Sequence, residues 1–160
     1  MNKEYILTRI IGALTDDLEL FSRAARAAHA AATHEECIPD NKYDTTGLEA
    51  SYVAQGQANR AQDIRRALER FRTLSLRRFD EKTPIRLTAL VTLEGEDGSC
   101  RQLFLGPAAG GLKINDGDGE CIVITPESTL GRALLGKVVG DEIDIGSNAT
   151  QKIFTLVEVA

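Results

Sequence analysis

Five carboxylates crowd one short stretch of this 160-residue chain. Glu35, Glu36, Asp40, Asp44 and Glu49 fall within residues 33–50, where Lys42 is the only base, so the stretch carries a net charge of −4. Carboxylates held this close disfavour one another's ionised form unless a cation joins them. Oxygen donors suit Mg²⁺, which keeps several waters and takes one or two protein carboxylates beside other ligands. Asp40 and Asp44, or Glu35 and Glu36, would then complete a metal site that belongs to a partner. A solvated acidic loop is the simpler account on composition alone.

A second cluster has the opposite sign. Residues 60–78 hold Arg60, Arg65, Arg66, Arg70, Arg72, Arg77 and Arg78 against Asp63 and Glu69, a net charge of +5. These guanidiniums suit phosphate or an acidic protein surface. A solvated helix face with cations near its C-terminus explains them equally well.

Other candidate chemistries fail on spacing. His34 and Cys37 make half of a zinc site, and no second pair exists. Asp116, Asp118 and Glu120 lack the glycine position and distal glutamate of an EF-hand loop and read as a hairpin turn. Residues 106–113 superficially resemble a phosphate loop but end Gly-Leu-Lys-Ile, where Gly-Lys-Ser/Thr is required. The two histidines, His29 and His34, lie in the N-terminal half and make no Ser/His/Asp arrangement, which argues against an autonomous hydrolase.

The elements that position these groups differ between the two halves. From Ile10 the apolar residues run Ile10, Leu14, Leu18, Phe21, Ala25, Ala28 and Ala32, one stripe of an α-helix. Leu48, Tyr52, Ala54, Ala58, Ala61, Leu68 and Phe71 suggest a second helical stripe, Ala-rich at its start and bulky at its end. The size gradients match only if the helices pair antiparallel. Each helix is then about 28 residues, or roughly 42 Å. Pro39, Asp40, Asn41 and Asp44 supply turn and cap residues between them. Thr45 or Thr46 can cap the second helix, with Glu49 placed for a capping box with Thr46.

Beyond residue 80 the period becomes that of strands. Ile85–Glu94, Gln102–Leu105, Cys121–Ile124, Glu142–Ile145 and Ile153–Val159 give about five short strands. Ser128 is a plausible N-cap and Gly136 a stop for one short helix between them. The expected class is α+β: an antiparallel two-helix coiled coil over 1–80, its tip about 33–47, then a small β domain over 81–160.

Bulk properties agree with a soluble cytoplasmic protein. No apolar run approaches the length that crosses a bilayer, and no apolar core follows Met1 as in a signal peptide. Three scattered cysteines, Cys37, Cys100 and Cys121, are no disulfide framework; Cys100 and Cys121 lie in strand-like stretches and read as buried thiols. A net charge of −5 disfavours broad non-specific nucleic-acid binding.

The stretch Ile124–Ile145 resembles the C-terminal signature of the bacterial GreA/GreB transcript-cleavage factors. Ser128, Gly131, Arg132, Ala133, Leu134, Leu135, Gly136, Lys137, Gly140 and Asp141 follow that pattern in order. The organisation is similar too, an N-terminal antiparallel coiled coil before an FKBP-like β domain. The resemblance implies an accessory factor with no enzyme activity of its own, an expected monomer that binds RNA polymerase and sends its arm into the secondary channel. Tip carboxylates would there share a Mg²⁺ ion of the polymerase and stimulate cleavage of backtracked RNA. It implies Asp44 as the metal-directed acid, with Asp40 and Glu49 behind it. Ser128, Gly131, Arg132 and Lys137 would contact polymerase, and Arg60, Arg65 and Arg66 would contact polymerase or nascent RNA. The family tip reads Gly-Asp-Leu-x-Glu-Asn-Ala-Glu-Tyr. Here Ala50 and Tyr52 match its end, while Asp44 and Glu49 stand eight and three residues before Tyr52 rather than seven and four. A channel regulator that does not stimulate cleavage is therefore the second expectation. An FKBP-like prolyl isomerase is a remote third, because the β domain offers only Phe104 and Phe154 as aromatics. A plain interaction module whose arm dimerises is the fourth.

Overall fold

The computed structural model describes residues 2–33, 41–43, 45–115, 119–145 and 152–160. Two long helices, α1 (Lys3–Thr33) and α2 (Thr46–Arg72), precede six strands and one short helix. The chain divides into two compact units, Ile11–Glu69 and a second made of Met1–Ile10 with Arg70–Ala160. The architecture is α+β, and among the described residues no helix is long and apolar enough to cross a membrane.

The first unit is a helical hairpin. On α1, Leu14 is buried, and Leu18, Phe21, Ala25, Ala28 and Ala32 are half-buried, the stripe expected from the sequence. On α2 the inward residues are Ala50, Ala54, Gln57, Ala61, Ile64 and Leu68, alternating four- and three-residue steps as in a coiled coil. Arg60 lies over the Phe21 ring, 5.8 Å from its centroid, fixing the pairing of α1 with α2 at that level. The expected α2 stripe is corrected here. Leu48, Tyr52 and Ala58 are exposed, the first two by 55% and 70%. Leu48 and Tyr52 each sit two residues from a seam position, about 200° of rotation away, so they face solvent. The seam runs through Ile64 instead, which is 3% exposed.

The second unit is built on one sheet. Its strands are β1 (Leu90–Gly95), β2 (Cys100–Leu105), β3 (Lys113–Asn115), β4 (Glu120–Ile124), β5 (Glu142–Ile145) and β6 (Lys152–Val159), with α3 (Thr129–Leu134) between β4 and β5. The order is β3-β4-β2-β1-β6-β5. All neighbours are antiparallel except β2 and β4. Both edge strands are short, which limits edge-to-edge pairing with other chains. One face buries Ile85, Leu93, Leu103, Leu105, Leu134 and Leu156 in a common core. Phe71, at the end of α2, packs at Gly106, where a β-carbon would come within 2.9 Å of its ring.

The described residues give the sheet six strands rather than about five. β3 is only three residues long and lies in a Gly-rich stretch, too short to show a period. Residues 85–89 were expected in the first strand and lie outside β1: Arg86–Ala89 form a turn, with the Ala89 N–H donating to the Arg86 carbonyl at 3.1 Å, and the Ile85 N–H donates to the Lys137 carbonyl. Cys121 is buried as expected, whereas Cys100, at the start of β2, is exposed.

Thr88 shapes that turn. It is 1% exposed and has φ of 80°, a conformation a β-branched residue rarely adopts. Its N–H donates to the Leu105 carbonyl at 2.8 Å, and its hydroxyl accepts from the Arg77 N–H at 2.9 Å. The side chain thereby ties the segment after α2 to the sheet. Thr88→Ser keeps the hydroxyl and should cost about 1 kcal/mol through the lost buried methyl. Thr88→Ala is expected to cost about 1 kcal/mol more than Thr88→Ser, through the lost hydrogen bond. Urea denaturation of both variants checks this, and equal stability of the two would remove the tie.

Candidate functional site

The distal end of the hairpin begins with the cap of α2. Thr45 precedes the helix, and its carbonyl accepts from the Glu49 N–H at 2.9 Å. Its hydroxyl donates to Glu49 Oε1 at 3.1 Å. The carboxylate also sits in the first helical turn, where the helix dipole favours negative charge. Glu49 is thus engaged by its own helix start, through Thr45. Beside it, the Tyr43 N–H donates to the Asn41 side chain at 2.9 Å. The Tyr43 ring is 79% exposed and lies under the Lys42 ammonium at 5.0 Å. Asp40 and Asp44, with Glu35, Glu36, His34 and Cys37, lie outside the described residues. Among the described residues no cluster of histidine, cysteine and carboxylate side chains is placed to hold a metal.

The three arginines singled out on α2 are all exposed. Arg60 is held over Phe21, and Arg65 donates to the Gln62 side chain at 3.1 Å. At 100° per residue, Arg60 and Arg65 stand about 140° apart and Arg66 about 100° further round, so they do not form one face. Tyr43, Leu48, Tyr52 and Val53 are each exposed, which sequence reasoning missed. The three- and four-residue steps through Ile64 would have placed Leu48 and Tyr52 outside.

The signature segment has a different logic. Ser128 is the N-cap of α3: its hydroxyl accepts from the Gly131 N–H at 3.0 Å and donates to the Thr125 carbonyl at 2.7 Å. Gly131 allows the chain to pass close to that same carbonyl, because a β-carbon would lie 1.9 Å from the Thr125 oxygen. Gly136 ends the helix at φ of 80°, and its N–H donates to the Ile85 carbonyl. Gly140, at φ of 93°, donates to the Leu156 carbonyl, while Asp141 accepts from the Val138 N–H at 2.9 Å. Ser128, Gly131, Gly136, Gly140 and Asp141 are therefore each required by the local fold. Arg132 is exposed and Lys137 half-buried, and neither has an ion pair among the described residues.

Among the described residues, Phe104 and Phe154 do not line a common pocket. Phe104 is fully buried. Phe154 borders a cavity of about 190 Å³ whose other walls include Glu96, Asp97, Ser99, Arg101 and Lys152. Arg101 covers the Phe154 ring at 4.8 Å, and hydrogen bonds from Ser99 hold the Asp97 carboxyl below its usual range. That lining is polar and charged.

No protein-family model and no curated protein sequence matches this chain. The chain is similar to solved structures. One is GreA factor homolog 1 (Gfh1) of Thermus thermophilus, at 20% identity over 94% of this chain and 94% of that one, with a TM-score of 0.40. A second is Gfh1 of Thermus aquaticus, at 23% identity over 95% and 92%, with a TM-score of 0.40. A third is a prokaryotic transcription elongation factor GreA/GreB from Nitrosomonas europaea, at 21% identity over 62% and 78%, with a TM-score of 0.36.

The roles within the signature separate by stability. Gly131→Ala is expected to cost about 3 kcal/mol or more, because the β-carbon meets backbone rather than a movable side chain. Ser128→Ala should cost about 1 kcal/mol as a lost N-cap. Arg132→Ala should stay within about 0.5 kcal/mol of wild type. Thermal and urea unfolding of the three variants test this order, and a stable Gly131→Ala protein would contradict the close approach at Thr125.

Proposed function

We propose that this protein is a Gre-like transcription factor: it binds RNA polymerase, inserts its helical hairpin in the secondary channel and stimulates the polymerase's own cleavage of backtracked RNA. The observation that carries this reading is the division of labour in the Ser128–Asp141 signature. The fold accounts for Ser128 and for the glycines of that stretch, whereas the side chains of Arg132 and Lys137 make no ion pair among the described residues. Cations without an ion-pair partner in their own chain are suited to an acidic surface on a second protein. The hairpin supplies the second support, a long two-helix arm whose exposed end carries large side chains beside an acidic sequence.

In this reading the protein is an accessory factor and supplies no active site of its own. The polymerase's bound Mg²⁺ supplies the electrophilic chemistry. Asp44 is proposed to give a carboxylate oxygen toward that ion, with Asp40 next in order. Glu49 is the poorer donor because Thr45 already occupies one of its oxygens. Arg60, Arg65 and Arg66 point in different directions, so they suit contacts to several channel walls, or to nascent RNA, better than one continuous phosphate track. The protein works in the cytoplasm as a monomer, bound to polymerase.

The engagement of Glu49 in its helix cap, together with the shifted spacing of Asp44 and Glu49, favours a second reading. The hairpin would then occupy the channel and modulate transcription without cleavage. Backtracked elongation complexes mixed with saturating protein distinguish the two. The first reading predicts shortening of the RNA from its 3′ end. Asp44→Ala should reduce that cleavage by about tenfold to 100-fold, the scale on which supports of a metal site act, while binding persists. Channel occupancy without cleavage would establish the second reading, and absence of polymerase binding would remove both.

A further inference from the structure

Arg70 and Arg77 are cations that the proposed function leaves unused. They flank a groove of about 440 Å³, between the segment that follows α2 and the turn before β1. Leu74, Leu76, Leu87 and Pro107 supply its apolar lining. Leu74, Leu76 and Leu87 are only half-buried, so part of each faces out. Among the described residues no carboxylate lines the groove, and neither guanidinium has an ion pair.

The backbone adds donors. Residues 74–80 are neither helical nor paired in the sheet. The Arg77 N–H is taken by the Thr88 hydroxyl, whereas the N–H groups of Ser75 and Leu76 meet no acceptor among the described residues. Thr88 fixes this segment from beneath, so a ligand need not order it first, which lowers the entropic cost of binding.

We propose that the groove binds an extended acidic–apolar peptide segment of a partner protein. Apolar side chains of the segment lie on the leucine surface. Its carboxylates pair with Arg70 and Arg77, whose planar forks match carboxylate geometry. One of its main-chain carbonyls accepts from the Ser75 N–H. Charge complementarity selects this occupant. A single nucleic-acid strand is the other polyanion, but such strands are held largely by stacking on aromatic side chains, and no aromatic residue lines the groove.

Fluorescence anisotropy on the full-length protein tests the proposal. One probe is a labelled heptapeptide alternating leucine with aspartate and glutamate. A second has lysine at every acidic position, and a third is a labelled single-stranded RNA of similar length. The acidic peptide should bind, and the double variant R70A/R77A should weaken it about tenfold or more. Ser75→Pro, which removes one N–H and no charge, should weaken it about threefold or more. Both arginines and Ser75 are exposed, and circular dichroism confirms that each variant is folded. Four results would overturn the proposal: no peptide binding at about 1 mM, unchanged affinity in R70A/R77A, equal binding of the lysine peptide, or tighter arginine-dependent binding of RNA than of the acidic peptide.

Discussion

The seam between α1 and α2 is the constraint on which the rest of the molecule depends. Without it there is no arm, and neither the tip acids nor the arginines have a defined place. The seam is uneven. Leu14, Ile64 and Leu68 are buried, but toward the distal end the inward positions are Ala25, Ala28 and Ala32 on one helix and Ala50 and Ala54 on the other, all only half-buried. Burial stabilises by about 25 cal/mol per Å² of apolar area, so alanine pairs contribute far less than leucine or isoleucine pairs. Small residues allow close approach and a slender arm at the cost of stability. The pairing is therefore anchored by its bulky residues, and at the distal end the start of α2 is ordered by its own Thr45–Glu49 cap.

The same trade explains why the fold was legible in the sequence to different degrees. The α1 stripe was readable because Ile10, Leu14, Leu18 and Phe21 are large and unambiguous. In α2 the seam positions include Ala50, Ala54 and Gln57, which carry almost no hydrophobic signal, while Leu48 and Tyr52 carry a strong one and face outward. Reading by residue size therefore misplaced Leu48 and Tyr52, while Ala54, Ala61, Leu68 and Phe71 lie inward as expected. Ser128 and Gly136 were recognisable as the limits of α3 because capping chemistry is local. β3 was not recognisable, since three residues show no period and its pairing with β4 is set by the sheet. The turn at residues 86–89 depends on a left-handed Thr88, which no residue preference anticipates.

The candidate site was legible in part. The signature could be seen as a string of residues, but only the geometry separates those that build α3 and its flanking turns from those the fold does not use. The clash at Thr125 that would follow any side chain at Gly131 comes from chain crossing rather than local preference. The arginines of α2 formed a cluster along the sequence that helix geometry disperses. For Asp40 and Asp44 the sequence supplies type and spacing, and the proposed chemistry rests on those together with the engagement of Glu49.

The central claim is that the end of the hairpin enters the secondary channel of RNA polymerase. A photo-crosslinking amino acid placed at Tyr43, whose ring is 79% exposed, reads this most directly. With core polymerase, the account predicts crosslinks to the catalytic subunit inside the channel, close to the active-site Mg²⁺ ligands, and their loss when a known channel binder is added in excess. Crosslinks confined to the outer surface of polymerase, or unaffected by the competitor, would contradict it.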